Sequence, residues 1–323
     1  MTSAWSAWPA PAKLNLFLHI VGRRDDGYHL LQTLFQLLNW GDVVRLRVRQ
    51  DGVIARDVEL AGVPAESDLC LRAALLLRER VGRPVGADIA VDKHIPLGGG
   101  LGGGSSDAAS VLVGLNELWR IGLSIDELAD LGLELGADVP VFVRGQTAWA
   151  EGIGERLTPV ALPRREYVIV HPRVNVSTTE LFRAPELTRN SLPATISGFL
   201  SGIDTNNAFT SLVRVRYPQV AAALDWLGRF GDARMSGSGS CVFLATESVA
   251  QAERIASACP PLFAAYRASG VVRSPLMDAL ESHRGGADPV MKAATLEVVK
   301  HQNADAYFDA GASPDFSDLR RES

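Results

Sequence analysis

Between Gly98 and Gly104 six of seven residues are glycine, with Leu101 the one interruption. Ordering a glycine costs more backbone entropy than ordering any other residue, so a flexible surface loop is a poor explanation for such a run. The flanks say what it joins. Upstream, Ala87-Asp88-Ile89-Ala90-Val91-Asp92 alternates as a half-buried strand does. Downstream, Ala108, Val111, Leu112, Leu115 and Trp119 recur at helical spacing and make one apolar face. A strand, a glycine loop and a helix start bring unpaired N–H groups and the positive end of a helix dipole to one place. That is a cradle for a phosphate. Ser105 and Ser106 follow at once, with hydroxyls where Mg²⁺ or a phosphate oxygen would lie.

Gly98, Gly100 and Gly103 also satisfy G-x-G-x-x-G, which on its own would suggest a nicotinamide oxidoreductase. The loop, however, sits in mid-chain behind Pro96, and no acid follows at the ribose-binding distance in a βαβ context. The Walker pattern fails as well, because no Lys-Ser/Thr follows the last glycine. A phosphate loop of another type remains, and a nucleotide-binding module without turnover is one reading of it. The formal net charge of −5 leaves no basic footprint for nucleic acid. A phosphorylated ligand would need local cations instead, and Lys13, Arg23, Arg24, Lys93 and Arg144 are the candidates.

With 323 residues and 47% hydrophobic content, the chain can bury two cores. Three cysteines, Cys70, Cys241 and Cys259, make no disulfide framework and suggest a reducing compartment. Met1 to Pro11 lacks the pattern of a signal peptide, and no apolar run approaches membrane length. The expectation is a cytoplasmic protein with no membrane partner, either monomer or homodimer.

Alternation predicts strands over Ala12–Val21 and Val43–Val48, with an apolar run from Leu30 to Leu38 between them. A helix is expected from Asp68 to about Val81. Ser124 to Glu127 and Ser177 to Glu180 have the form of capping boxes. A glycine-turn hairpin is expected over Thr147–Thr158. Beyond residue 160 the predicted order is a strand at Tyr167–Val170, helices, two strands around the loop Met235–Gly239, a helix after Ser248, and a last strand at Gly270–Arg273. That order is ferredoxin-like. The expected organisation is therefore an N-terminal domain over 1–160, a ferredoxin-like domain over 161–283, and a tail over 284–323 with one helix from Pro289 to Lys300. Asp138, two residues before Pro140, has the place of an N-cap of a short helix. A capping carboxylate is also a positioned one, so its role stays open at this level.

Three stretches, Pro11-Ala12-Lys13-Leu14-Asn15, Pro96 to Ala109, and Met235-Ser236-Gly237-Ser238-Gly239, together resemble the galactokinase, homoserine kinase, mevalonate kinase and phosphomevalonate kinase superfamily. Asp26-Gly27-Tyr28-His29 and Leu135 to Phe142 bring the likeness closest to its branch acting on a cytidine-diphosphate-linked methylerythritol. The likeness spans roughly Pro11 to Leu276. It implies an α+β, two-domain small-molecule kinase fold: an N-terminal α/β domain, a ferredoxin-like C-terminal domain, and the active site in the cleft between them. It implies transfer of the ATP γ-phosphoryl group, with Mg²⁺, to the 2-hydroxyl of the methylerythritol part. Lys13 and Asp138 match the catalytic positions. Lys93 and the run Pro96, Leu97, Gly98, Gly99, Gly100, Leu101, Gly102, Gly103, Gly104, Ser105 and Ser106 match the ATP site. Asn15, Tyr28, His29, Thr178 and Phe182 match positions facing the substrate, with two aromatic rings around its cytosine. Without the resemblance His29 would pass for an ordinary turn histidine. A related kinase for mevalonate, homoserine or a sugar is the alternative, and such a substrate would have no use for the Tyr28 and Phe182 rings.

Overall fold

The structure, a computed structural model, describes residues 4–57, 64–203 and 205–285. The helix expected over Pro289–Lys300 lies outside the described residues.

Two long antiparallel strands, β1 (Ser6–Arg23) and β2 (His29–Arg49), form the spine. Where the sequence suggests an apolar run and then a separate strand, β2 runs unbroken, because it changes neighbours along its length. It keeps β1 on one side throughout. On the other side it meets β5 (Ala148–Glu151) at Thr33–Phe35, β10 (Ala264–Val271) at Leu37–Leu38 and β4 (Gly86–Asp92) at Val43–Arg49. Its first half is buried on both faces and so lacks alternation. The short β3 (Ile54–Arg56) pairs in parallel with β4, and β6 (Arg156–Pro159) completes the expected hairpin with β5.

Helices α1 (Leu69–Val81), α2 (Gly103–Leu118), α3 (Ile125–Leu133) and α4 (Val139–Arg144) cover this half. Asp68 caps α1 by accepting from the Cys70 N–H. Ser124 and Glu127 form the reciprocal capping box on α3.

The second half opens with β7 (Glu166–His171). There follow α5 (Thr178–Arg183), α6 (Ile196–Leu200), α7 (Thr210–Arg216), α8 (Pro218–Gly228), β8 (Arg234–Met235), β9 (Val242–Thr246) and α9 (Val249–Ser257). The strands lie in the order β10-β7-β9-β8, the ferredoxin-like arrangement, and β10 joins this sheet to β2. Ser177 accepts from Glu180 N–H, which is half of the box expected there. The last strand starts six residues before the expected Gly270, since Ala264 to Ser269 pair with β7 throughout. Its small residues hide the alternation. A final helix that the sequence reading lacked, α10 (Pro275–Arg284), turns back and packs Leu276, Met277 and Leu280 into the core of the first half.

That core includes Trp8, Leu46, Leu77, Leu112 and Phe142; the second half has its own around Ile20, Val168, Leu181, Phe209 and Leu227. A third cluster, with Leu14, Leu38, Trp40, Ile95, Leu101, Tyr167, Ile169, Cys241 and Phe243, bridges the two halves directly beneath the glycine loop. Each large aliphatic side chain buried there contributes about 1.5–3 kcal/mol. The loop therefore rests on a floor that fixes both halves.

Candidate active site

The glycine loop turns its carbonyls inward. Gly98 O accepts from Ser240 N at 3.3 Å and Gly99 O from Cys241 N at 3.1 Å. Gly100 O accepts from Lys13 Nζ at 3.0 Å and from Ser236 Oγ at 2.9 Å, and Leu101 O accepts from Lys13 N at 3.0 Å. Among the described residues none of the N–H groups from Gly98 to Ser105 donates to a protein acceptor. Carbonyls held and amides free is the arrangement of an anion nest, and it opens directly onto the N-terminus of α2. Two glycines make it possible. At Gly100 (φ 73°) a Cβ would stand 2.2 Å from the Ser236 carbonyl oxygen. At Gly102 (φ 74°) it would meet the Phe142 ring at 2.7 Å and Lys13 Cε at 3.1 Å. The late small-residue loop, Ser236 to Cys241, thus serves as the scaffold of the early one.

Lys13 leaves the sheet where the β1–β2 register shifts, between Pro11 and Lys13, a break that re-aims a side chain. Its side chain is 4% exposed. It donates to Asn15 Oδ1 at 2.6 Å and to Gly100 O, and stands 3.5 Å from Asp138 Oδ2. Asn15 is itself locked, donating Nδ2 to Thr33 Oγ1 at 2.9 Å and its backbone N–H to Ser236 Oγ at 3.2 Å. Asp138 occupies the N-cap position of α4, yet its side chain makes no capping bond, and it is 37% exposed. The carboxylate is therefore positioned by its helix and left available. Phe142, on the same helix, packs against Gly102, so α4 and the loop are seated on each other.

Lys93 has two carboxylate partners. It pairs with Asp42 and, at 2.8 Å, with Asp107 on α2. Burial opposes its charge, but the two carboxylates prevail and its pKa lies above the usual lysine value. Burial, with the charge of Asp42 added, pushes Asp107 up to about 7. Asp42 also accepts from the His94 N–H and, at 2.7 Å, from the Ile95 N–H. This brace ties β2, the entry to the loop and α2 together, and it engages the cation that the resemblance assigns to ATP. Of the other candidate cations, Arg24 pairs with Asp26 and Arg144 with Asp126, both at the surface. Pro96 and Leu97 form the entry, Leu97 half exposed. Ser105 lies in the first turn of α2, and Ser106 is fully buried with a hydroxyl that has no partner.

The substrate-facing candidates gather at the other end. Tyr28 stands 60% exposed on the turn between β1 and β2. The His29 imidazole lies on the Phe182 ring, with centroids 4.7 Å apart and planes 23° apart, and Phe182 meets Phe209 edge-on. Two open rings waiting to sandwich a base are thus not what the structure presents, because His29 already covers a Phe182 face. Thr178 Oγ1 shares a 2.6 Å hydrogen bond with Ser238 Oγ, so α5 is tied to the late loop. Arg189 Nε donates to His29 Nε2 at 3.1 Å.

The sequence reading missed Asp42, Asp107, Ser236 as a bonding group, and Arg189. Ser236 and Asp107 lay within stretches already singled out; Asp42 and Arg189 belong to no local pattern and act through contacts distant in sequence.

No group of three or more His, Cys, Asp or Glu side chains forms a metal cage among the described residues. The donors that the loop offers are serine hydroxyls, one of them the unpartnered Ser106 Oγ. Such a set fits a magnesium ion that arrives on phosphate oxygens and takes few protein ligands.

A family profile described as GHMP kinases N terminal domain matches residues 68–146, and one described as GHMP kinases C terminal matches residues 192–263. The chain is 56% identical over 279 residues to a 4-diphosphocytidyl-2-C-methyl-D-erythritol kinase of Xanthomonas oryzae pv. oryzae, covering 86% of this chain and 95% of that protein. It is 54% identical over 268 residues to the protein of that name from Aromatoleum aromaticum, covering 83% and 94%. A crystal structure of 4-(cytidine 5'-diphospho)-2C-methyl-D-erythritol kinase superposes with a TM-score of 0.70 at 35% identity, over 82% of this chain and 99% of that one. No helix among the described residues is long and apolar enough to cross a membrane.

Proposed function

The chain belongs to the 4-diphosphocytidyl-2-C-methyl-D-erythritol kinases within the GHMP kinases, and on that premise we propose that Lys13 and Asp138 are its reacting pair. As a member it is an ATP-dependent kinase of isoprenoid biosynthesis. Its acceptor in this reading is 4-(cytidine 5'-diphospho)-2-C-methyl-D-erythritol, phosphorylated on the 2-hydroxyl.

The observation that carries the assignment is Lys13, whose ammonium bonds Gly100 O and lies 3.5 Å from Asp138. The lysine thereby links the triphosphate cradle to the Asp138 carboxylate. A tertiary alcohol is a poor nucleophile until its proton is taken. Asp138 accepts that proton as the hydroxyl oxygen bonds the γ-phosphorus and the bond to the β-phosphate oxygen breaks, with ADP leaving. Lys13 offsets the charge that grows on the acceptor oxygen and holds the carboxylate in place. The free N–H groups of Gly98 to Ser105 hold the nucleotide phosphates, so positioning supplies much of the acceleration. The Ser105 and Ser106 hydroxyls would hold a Mg²⁺ ion, which would supply charge neutralisation on the phosphates. Lys93 acts as the brace of the cradle. Asn15 and Thr178 face the acceptor. At the far end the His29–Phe182 stack is the wall of the pyrimidine subsite and Tyr28 closes over it, an arrangement suited to ring stacking.

Incubation with ATP, Mg²⁺ and the cytidyl acceptor should yield ADP and a phosphomonoester on the 2-oxygen in equal amounts. Mevalonate, homoserine and galactose should give none. ADP release without phosphorylated acceptor, or turnover of one of those three in its place, would contradict the reading.

A further inference from the structure

We propose that Arg189 is a positioning residue of the pyrimidine subsite, fixing the His29 imidazole in the tautomer that carries its proton on Nδ1, so that the ring donates to the acceptor nitrogen of a cytosine and turns a uracil away. The proposal rests on the placement of His29 in that subsite.

An arginine side chain has only donors, so a histidine nitrogen facing it has to be the accepting one. Arg189 Nε points at His29 Nε2 across 3.1 Å. The proton of the neutral ring is then on Nδ1, which makes no hydrogen bond to any described residue. The guanidinium is anchored by three further bonds. Nη1 donates to Leu187 O at 3.0 Å, and Nη2 donates to Phe182 O at 2.9 Å and Ala184 O at 2.7 Å. Phe182 lies under the imidazole. One edge and one face of the ring are thus set by a segment some 150 residues away in sequence.

The ring also stays neutral. Burial disfavours its charge first, and the Arg189 and Arg23 charges act in the same direction. The other charged groups on the surrounding elements are occupied or turned outward: Arg24 pairs with Asp26, Glu186 pairs with Arg216, and Asp25, Glu180 and Arg183 are exposed. Arg23 Nε is bound to Gly27 O. Among the described residues no carboxylate pulls His29 toward its cationic form.

Cytosine N3 is an acceptor, whereas the same position in uracil carries hydrogen. A fixed Nδ1–H therefore meets its complement in one base and an opposing donor in the other. Leaving such a pair unsatisfied corresponds to roughly a 5- to 150-fold difference in binding. Without Arg189 the neutral ring is free to carry its proton on Nε2 and present an acceptor at Nδ1.

The test uses the full-length protein, with cytidine 5'-diphosphate and uridine 5'-diphosphate as probes. Imidazole ¹⁵N shifts of the free protein near pH 7.5 should show His29 Nδ1 protonated and Nε2 bare, and these signals should move when cytidine 5'-diphosphate binds. Calorimetry should give a cytidine preference of roughly 5- to 150-fold, lost in Arg189→Ala at about pH 8. At about pH 5.5 the variant, relieved of the Arg189 charge, carries protons on both ring nitrogens in a larger share of its molecules than at about pH 8, and its affinity relative to wild type should rise. A proton on Nε2 in the wild type would overturn the proposal even if the variant fails to fold. So would an Arg189→Ala loss of equal size at both pH values, which would mark a purely structural arginine. A correctly held tautomer whose signals ignore cytidine 5'-diphosphate would instead remove His29 from the pyrimidine subsite, and the proposal would fall with that placement.

Discussion

The two ends of the cleft are built differently. At the phosphate end, every carbonyl from Gly98 to Leu101 is bonded, and Lys93 sits between two buried carboxylates. At the proposed pyrimidine end, Tyr28 is 60% exposed on a turn and His29 is oriented by one arginine and one ring. In the proposed reading the rigid end holds the phosphates, which any phosphoryl transfer needs. In that reading the open end recognises one acceptor, and two of its residues, Tyr28 and Arg189, stand on connecting segments that can vary while the scaffold stays fixed. Damage at the first end should therefore strike fold and both ligands together, and damage at the second should strike one ligand alone.

Gly100→Ala should do the most harm. Its Cβ would lie 2.2 Å from the Ser236 carbonyl oxygen and 2.8 Å from that of Gly239, at a positive φ, so the two loops have to separate. We expect a stability loss on the order of 4 kcal/mol or more, read by denaturant unfolding, and no measurable ATP binding by calorimetry. Lys93→Met comes next. It leaves the Asp42 and Asp107 carboxylates buried without their cation, at a cost of about 3–5 kcal/mol. If Lys93 were chiefly a phosphate ligand, the same variant would lose ATP affinity while keeping its unfolding midpoint.

Phe182→Ala probes the open end. Removal of the wall should weaken the cytidyl acceptor by roughly 1–3 kcal/mol, while ATP affinity stays near wild type. Equal weakening of both ligands would mean that the ring is a core anchor, and the contrast between the two ends would lose its basis. The smallest effect sharpens the contrast within the loop itself. Gly104 has no positive φ, and a Cβ there would meet only Leu69 Cδ1 at 3.7 Å. Gly104→Ala should be tolerated, or should stabilise α2 by about 0.5–1 kcal/mol, seen as a slightly raised thermal midpoint.

The rigid end was the more legible in the sequence. Six glycines between an alternating strand and a periodic helix announce a phosphate loop, because backbone conformation leaves a local signature. The ferredoxin-like order was legible for the same reason, since it follows from successive elements. The brace was not. Asp42 reaches His94 and Ile95 some fifty residues away, and an isolated acid in a strand has no periodicity to betray it. The start of β10 escaped because its small residues hide the alternation. By contrast α10 had local signals that went unread, with Ser274 as cap, Pro275 at its first position and Leu276 and Leu280 one turn apart; only its return to the first core is invisible locally. At the open end the resemblance indicated which rings to watch, but only coordinates reveal that His29 rests on Phe182 and that Arg189 holds it. Asp138 lay between the two cases. Its N-cap position was legible, whereas the missing capping bond that leaves the carboxylate available was not.

That carboxylate allows the most direct test of the account. Asp138→Asn preserves shape and removes no capping bond, so fold and ATP affinity should hold. Turnover of the cytidyl acceptor at saturating ATP should fall by about 10²- to 10⁴-fold, the usual worth of a positioned base. Turnover near wild type in that variant would contradict the assignment of Lys13 and Asp138 as the reacting pair.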